Sequence, residues 1–359
     1  MNADVKKIKV LVVDDSPTAV EYLTHIFNAT GRLQVIGTAR NGKEAVDFVR
    51  HTRPDIITMD VHMPVMNGLE ATRAIMSTDP IPIVILGASW DPGEVQQSFK
   101  AVEAGALASF AKPSGMANAA SAEAIRELVA NIEALARIKL VRRSALATRP
   151  LTNESRTAAS VPSARQLLNP GIVVIGVSTG GPPVLQCILA GLAKDFKFPV
   201  LIVQHISKGF TQGLVDWLGG TSVLPVAIGR HGERLRPGQV IVAPDDHHME
   251  VGAGEQIVLT VDEPEQSLRP AVARLFRSAA AVYGHRTIAV LLTGMGSDGA
   301  REMLDIKDRG GVTIAQDERS CVVYGMPKAA AQLDAVKHVL SPPEIVNTLN
   351  RLAAETEKT

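Results

Sequence analysis

The string Gly176-Val177-Ser178-Thr179-Gly180-Gly181 fits Gly-x-Ser-x-Gly, a tight strand-to-helix turn that exposes a serine hydroxyl beside the amides of a helix N-terminus. Taken alone, such a glycine-rich turn suits a phosphate as well as it suits a nucleophile. Two other apolar runs shift the balance. Residues 199–204 lead into His205, and residues 288–293 lead into Gly294-Met295-Gly296-Ser297-Asp298-Gly299, so a base and an acid fall at comparable strand ends. Serine is a weak nucleophile at neutral pH. His205 would take its proton, Asp298 would fix the imidazole tautomer and stabilise the imidazolium, and amides near Thr179 and Met295 would hold an oxyanion. The chemistry expected is acyl transfer. The order Ser, His, Asp differs from the Ser, Asp, His of α/β-hydrolases, so the geometry must arise on another topology.

A second set is acidic. Asp14 and Asp15 follow one apolar run, Asp60 follows another, and Lys112 follows a third. Carboxylates gathered on one edge repel each other unless a hard divalent cation joins them, and oxygen-only ligation with room for water and phosphate suits Mg²⁺. Lys112 is placed to meet phosphate oxygens. The plainer alternative is an N-cap acid with two solvated loop acids.

Both sets need an edge on which strands end together. In the first third of the chain, apolar runs at 10–13, 35–37, 56–59, 83–86 and 107–110 alternate with helical stretches. That alternation predicts a parallel sheet covered on both faces, with ligands beyond the carboxyl ends of its strands. The first helix starts with Ser16 as N-cap and Pro17 at N1, and its apolar stripe is Val20, Leu23, Ile26 and Phe27. Runs at 172–176, 200–204, 240–243 and 287–292 predict a second α/β domain, with 257–261 as a hairpin arm. Between the two, a helical pattern over 121–142 gives way to a stretch rich in Ser, Thr, Ala and Pro up to Pro170. That stretch buries too little to offset its ordering entropy. The fold class expected is α/β: a doubly wound five-stranded domain over 1–125, a helical and flexible linker over 126–168, and a mostly parallel α/β domain over 169–355.

Composition agrees with two folded domains and narrows the function classes. The 359 residues carry 37 Lys plus Arg against 37 Asp plus Glu, so no net charge draws the chain to nucleic acid or anionic lipid. Seven basic residues (Arg137, Lys139, Arg142, Arg143, Arg149, Arg156 and Arg165) face one acid, Glu154, in the linker; solvated charge is the simplest account. Cys187 and Cys321 are the two cysteines, far apart and without redox or zinc spacing, which fits a reducing cytoplasm. Met1 to Lys7 lead straight into an apolar run without the features of a signal peptide, and the uncharged stretch 166–193 is broken by Ser178 to Pro183, so no membrane insertion is expected. Asp245, Asp246, His247, His248 and Glu250 resemble a metal cluster, but along one short turn-to-strand segment neighbouring side chains point apart.

The pattern Val-Val-Asp14-Asp15-Ser-Pro, Met-Asp60-Val-His-Met-Pro-Val-Met-Asn-Gly and Ala-Lys112-Pro113 resembles a response-regulator receiver domain. The resemblance implies that Asp60 takes a phosphoryl group from a phosphohistidine. It places Mg²⁺ on Asp15, the Asp60 carboxylate and the His62 backbone carbonyl, with Asp14 acting through water and Lys112 contacting phosphate. Two positions depart from that pattern. Gly87 stands where receivers carry a Ser or Thr hydroxyl, and Ser109 replaces the usual aromatic, so coupling of Asp60 to the rest of the chain is expected to be weaker or to run by another route.

Over nearly the whole chain, the receiver, the tether, Ser178-Thr-Gly-Gly, Gln204-His205, Ala243-Pro244 with His248-Met249, Thr-Gly-Met-Gly-Ser-Asp298-Gly and Tyr324-Gly-Met-Pro resemble the CheB-type protein-glutamate methylesterases of bacterial chemotaxis. The resemblance implies hydrolysis of γ-glutamyl methyl esters on cytoplasmic helices of chemoreceptors, and deamidation of receptor glutamines. It implies a chemotaxis-type histidine kinase as phosphodonor, a site at Ser178, His205 and Asp298 with no cofactor for the esterase step, and His248 near the cleft without metal. A transcriptional regulator would need a DNA-reading module, and the second domain shows strand periodicity where a helix-turn-helix would stand. A non-catalytic scaffold has no evident need for all of Ser178, His205 and Asp298.

Overall fold

Five parallel strands form the first sheet: β1 (Ile8–Val13), β2 (Leu33–Ala39), β3 (Ile56–Asp60), β4 (Ile83–Gly87) and β5 (Ala108–Ala111), in the order β2-β1-β3-β4-β5. The computed structural model describes residues 7–87, 92–113, 119–138 and 171–355. Two compact units divide the chain at Pro150 and Leu151. In the first, β1, β3 and β4 are buried along most of their length because helices cover both faces, as parallel sheets require. Those helices are α1 (Pro17–Ala29), α2 (Gly42–His51), α3 (Gly68–Thr78), α4 (Pro92–Glu103) and α5 (Ala119–Leu135).

Local sequence signals fix where these helices begin. Ser16 Oγ accepts from Ala19 N and Pro17 occupies the first turn of α1, whose buried side is Leu23, Ile26 and Phe27. Asn67 and Glu70 form a reciprocal capping box on α3. We expect Asn67→Ala to cost about 1 kcal/mol, read as a shift of the first unit's transition in urea unfolding. Helix α5 buries Leu128, Val129, Ile132 and Leu135, and Glu133 pairs with Arg32 at 2.9 Å. The apolar spacing over 121–142 thus belongs to a helix that starts at Ala119 and ends at Leu135; positions 139–170, which hold the expected flexible tether, lie outside the described residues.

The second unit is built on seven parallel strands in the order β14-β13-β12-β6-β7-β9-β8, with a separate antiparallel hairpin β10-β11. Its elements run β6 (Ile172–Val177), α6 (Gly181–Gly191), β7 (Val200–Gln204), α7 (Thr211–Gly219), β8 (Val226–Ile228), β9 (Val240–Val242), β10 (His248–Gly252) and β11 (Gln256–Thr260). They continue through α8 (Val272–Tyr283), β12 (Thr287–Leu291), α9 (Ala300–Asp308), β13 (Val312–Gln316), α10 (Met326–Gln332), β14 (His338–Leu340) and α11 (Pro342–Glu355). Starting from the central β6, the chain builds one half of the sheet through β7, β9 and β8, then crosses to β12 on the other side of β6. The strand order therefore reverses at β6, and the crevice beyond the carboxyl ends of β12, β6 and β7 is the expected ligand position.

Three strands, β8, β13 and β14, have no counterpart in the sequence reading. The outer two are three-residue edge strands, half exposed, with too few residues to show a period. Inside β13, Thr313 and Gln316 are wholly buried, so a strand interrupted by polar types does not present as an apolar run.

Candidate functional site

Ser178 follows the last residue of β6 and opens the turn into α6. Its amide donates to Thr293 O at 3.0 Å, and its carbonyl accepts from Gly181 N at 2.9 Å. Gly180 has φ +77°, a left-handed conformation that side chains disfavour, and a Cβ there would stand 2.3 Å from Val322 Cβ. The glycines of the motif are thus required by the turn that presents the serine. Gly294 meets the same need from the other side: a Cβ on it would lie 2.6 Å from Ser178 Cβ. The backbone after β12 consequently abuts the serine, and the next amide, Met295 N, makes no hydrogen bond among the described residues. Thr179 is 7% exposed.

His205 follows β7, and its amide donates to Val177 O at 2.9 Å, which ties the loop to β6. Its Nε2 lies 2.9 Å from Asp298 Oδ2. A carboxylate only accepts, so Nε2 carries the hydrogen and the basic lone pair resides on Nδ1. Asp298 is 2% exposed, and its two oxygens also accept from Val272 N at 2.6 Å and Ala273 N at 2.9 Å. These are the first amides of α8, so the helix N-terminus stabilises the carboxylate while the carboxylate orients the imidazole. Ser178 Oγ makes no hydrogen bond among the described residues.

Further residues brace this arrangement. His248 is fully buried; its Nδ1 accepts from Ala271 N at 3.3 Å and its Nε2 lies 3.2 Å from Glu263 O. It therefore holds the residue before α8, just ahead of the amides that bind Asp298. Arg274 and Arg277 anchor α8 through Glu250, Asp262, Glu265 and Glu302, and the Arg277 hydrogen bond, opposed by partial burial, holds Glu265 below the usual carboxylate range. Arg269 Nη1 donates to Val261 O and Asp262 O, both at 3.0 Å. The group that resembled a metal cluster is dispersed among these roles. Asp245 accepts from Gly209 N and Thr211 Oγ1, Asp246 pairs with Lys208, His247 Nδ1 lies 2.8 Å from Asp245 O, and Glu250 pairs with Arg274.

In the first unit the acids do converge. Asp14, Asp15 and Asp60 each offer a carboxylate oxygen, and these atoms lie within 4.8 Å of one another. Lys112 Nζ stands 2.9 Å from Asp14 Oδ2 and 2.9 Å from Asp60 Oδ2. Burial raises the Asp60 pKa above its ordinary value, with the Asp14 charge adding to it, and Lys112 and the Val61 amide only partly offset this. Burial alone would lower the Lys112 pKa, but Asp60 and Asp14 outweigh it and hold the ammonium's pKa above its usual value. An all-oxygen donor set whose mutual repulsion one lysine leaves uncompensated fits a hard divalent cation. His62 lies in the exposed loop after β3, and its carbonyl accepts no hydrogen bond among the described residues. That loop passes close to Asp60 because Gly68 has no side chain: a Cβ there would sit 2.0 Å from Asp60 O. Gly87 ends β4 with its carbonyl accepting from Lys112 N at 2.9 Å, and the Ser109 hydroxyl is buried without a partner among the described residues.

Comparison with known proteins places a known domain family on each unit. Residues 10–123 match the response regulator receiver domain, and residues 173–349 match the CheB methylesterase domain. A protein-glutamate methylesterase/protein-glutamine glutaminase of Nitrosospira multiformis is 46% identical, over 98% of this chain and 99% of the relative. The chain belongs to the CheB methylesterase family. It is a receiver-linked member of that family of carboxylic ester hydrolases. A relative from Geobacter metallireducens with the same two activities in its name is also 46% identical, over 97% of this chain and 99% of the relative. The CheB methylesterase catalytic domain of Thermotoga maritima superposes with a TM-score of 0.50 at 40% identity, covering 51% of this chain and 98% of that one. No described helix is long and apolar enough to cross a membrane.

Proposed function

We propose that Ser178, His205 and Asp298 form a catalytic triad that hydrolyses γ-glutamyl methyl esters on the cytoplasmic helices of chemoreceptors, releasing methanol. The observation that carries this is the 2.9 Å contact of His205 Nε2 with an Asp298 carboxylate fixed by two helix amides, on the edge where the Ser178 turn opens. His205 Nδ1 takes the proton from Ser178 Oγ as the oxygen attacks the ester carbonyl. The tetrahedral oxyanion is held by the Thr179 and Met295 amides, the imidazolium returns the proton to the departing methoxy oxygen, and methanol leaves. Water, deprotonated by His205, then cleaves the acyl-enzyme and frees the glutamate carboxylate. A glutamine side chain follows the same path with ammonia as leaving group. None of these steps calls on a cofactor.

The receiver governs this activity, with Asp60 as acceptor of a phosphoryl group from a chemotaxis-type histidine kinase. Mg²⁺ would be held by Asp15, Asp60 and the His62 carbonyl, with Asp14 acting through water, and would neutralise charge on the phosphoryl oxygens. Lys112 contacts the same group. The protein acts in the cytoplasm on receptor adaptation, with neither nucleic acid nor membrane insertion in its role.

Methanol release from a methylated receptor cytoplasmic fragment tests the reading, together with inactivation by a fluorophosphonate. Release that stops as the reagent labels the peptide containing Ser178 is expected. Release that continues after stoichiometric labelling, or no release from any methylated receptor fragment, overturns it.

A further inference from the structure

We propose that Gln204 is a positioning residue for this reaction: its single carboxamide locks the nucleophile turn to the base loop. The proposal rests on the triad reading. Gln204 is the last residue of β7, 4% exposed, at the end of an otherwise apolar strand. A buried amide is costly unless its hydrogens find acceptors. Here Nε2 donates to Ser178 O at 2.9 Å and to His205 O at 2.8 Å, which uses both hydrogens on the two residues that must cooperate.

The place of this contact explains its value. The pairing of β6 with β7 ends at Val177 opposite Gln204, so Ser178 and His205 lie one residue beyond the last paired position. The carboxamide cross-links the two loops where the ladder stops. It also orients the peptide that joins Ser178 to Thr179: a trans peptide points its carbonyl and amide in opposite directions, so holding Ser178 O against Gln204 sets the direction of Thr179 N–H. Gly181 makes room for this, since a Cβ there would stand 2.4 Å from Gln204 Oε1. A carboxylate of the same shape would repel both carbonyls, and a thioether would leave His205 O without this donor and Ser178 O with the Gly181 amide alone, so nothing would tie the two loops together at this point.

The test compares wild type, Gln204→Met, Gln204→Glu and Ser178→Ala as full-length chains on a methylated receptor fragment, reading kcat and KM separately below each melting midpoint. Gln204→Met is expected to lower kcat about 100-fold, as misplacement of reacting groups by about 1 Å does, with KM changed less than about twofold because substrate contacts remain. Fluorophosphonate labelling of Ser178 slows in parallel, and Gln204→Glu is slower still. Wild-type kcat in both Gln204 variants, or a rise in KM alone, overturns the role of Gln204 while an inactive Ser178→Ala leaves the triad standing. An active Ser178→Ala sinks the triad and this proposal with it. Where the Gln204 variants do not fold, NMR of wild type decides: slow solvent exchange of both Gln204 Nε2 hydrogens supports the tether, and rapid exchange overturns it.

Discussion

Ester hydrolysis is expected to fall by about 10⁴-fold or more in Ser178→Ala, and by about 10³- to 10⁴-fold in Asp298→Asn, which keeps the shape of the side chain. The serine variant has no oxygen to form the acyl-enzyme. The asparagine variant fails for a subtler reason. Three donors converge on the Asp298 carboxylate: His205 Nε2, Val272 N and Ala273 N. Asparagine brings only one oxygen to these three donors and adds an NH₂ that can only donate. If that oxygen takes the Oδ1 place and keeps Ala273 N, the NH₂ stands where Oδ2 was and faces both Val272 N and Nε2, which must then accept. The ring proton moves to Nδ1 and occupies the lone pair that takes the serine proton. If the side chain turns over, α8 loses an amide partner at its N-terminus instead. The measurement is kcat on a methylated receptor fragment beside ¹⁵N chemical shifts of the His205 ring, which report the tautomer. A variant within tenfold of wild type would show that the Asp298 contact does not set the tautomer.

The candidate residues stand out in the sequence because a parallel sheet gathers the residues after its strands onto one edge. Apolar runs lead to Asp15, Asp60 and Lys112 in one sheet and to Ser178, His205 and Asp298 in the other, one strand at a time, and each sheet's own edge brings its three to the same side. The supports were not legible, because their partners depend on strand order and packing. Gln204 appears in the sequence as a polar residue at a strand end, and nothing local says that its amide reaches Ser178 O. That Val272 and Ala273 hold Asp298 depends on α8 packing beside β6 and β12, which no local window contains. His248 offered a metal-ligand residue type, yet its two nitrogens serve backbone groups around the start of α8. Of its neighbours, Asp245 and Asp246 both reach residues 208–211, His247 turns back on Asp245 O, and Glu250 pairs with Arg274.

Asp60→Asn is expected to abolish phosphoryl incorporation from a small-molecule phosphodonor and, in divalent-free buffer, to raise the melting temperature of the first unit. The two effects share one cause. Burial, with Asp14 adding to it, keeps the folded-state pKa of Asp60 above its ordinary value despite Lys112 and the Val61 amide. A carboxyl with a raised folded pKa binds its proton more tightly when folded, so its ionisation disfavours folding above that pKa. This penalty is relieved as pH falls through it. The stabilisation from Asp60→Asn is therefore full at neutral pH and fades in acid. Lys112 has the opposite sense: its raised pKa contributes stability that is lost only as pH climbs through it. Divalent cation should invert the order. At about 100 times its Kd, Mg²⁺ adds about 2.7 kcal/mol to a chain that binds it only when folded. Asp60→Asn loses most of that gain with the ligand oxygen. Melting curves with and without Mg²⁺ should therefore cross between the two proteins, and parallel curves would reject the cation site. The proposed phosphorylation would replace the Asp60 charge with a more negative group beside Lys112, while Gly87 has no hydroxyl to receive it. On that proposal Lys112 and a divalent cation would be the groups left to sense the phosphoryl charge, so an output response to phosphodonor that survives in Lys112→Ala would place the coupling elsewhere in the receiver.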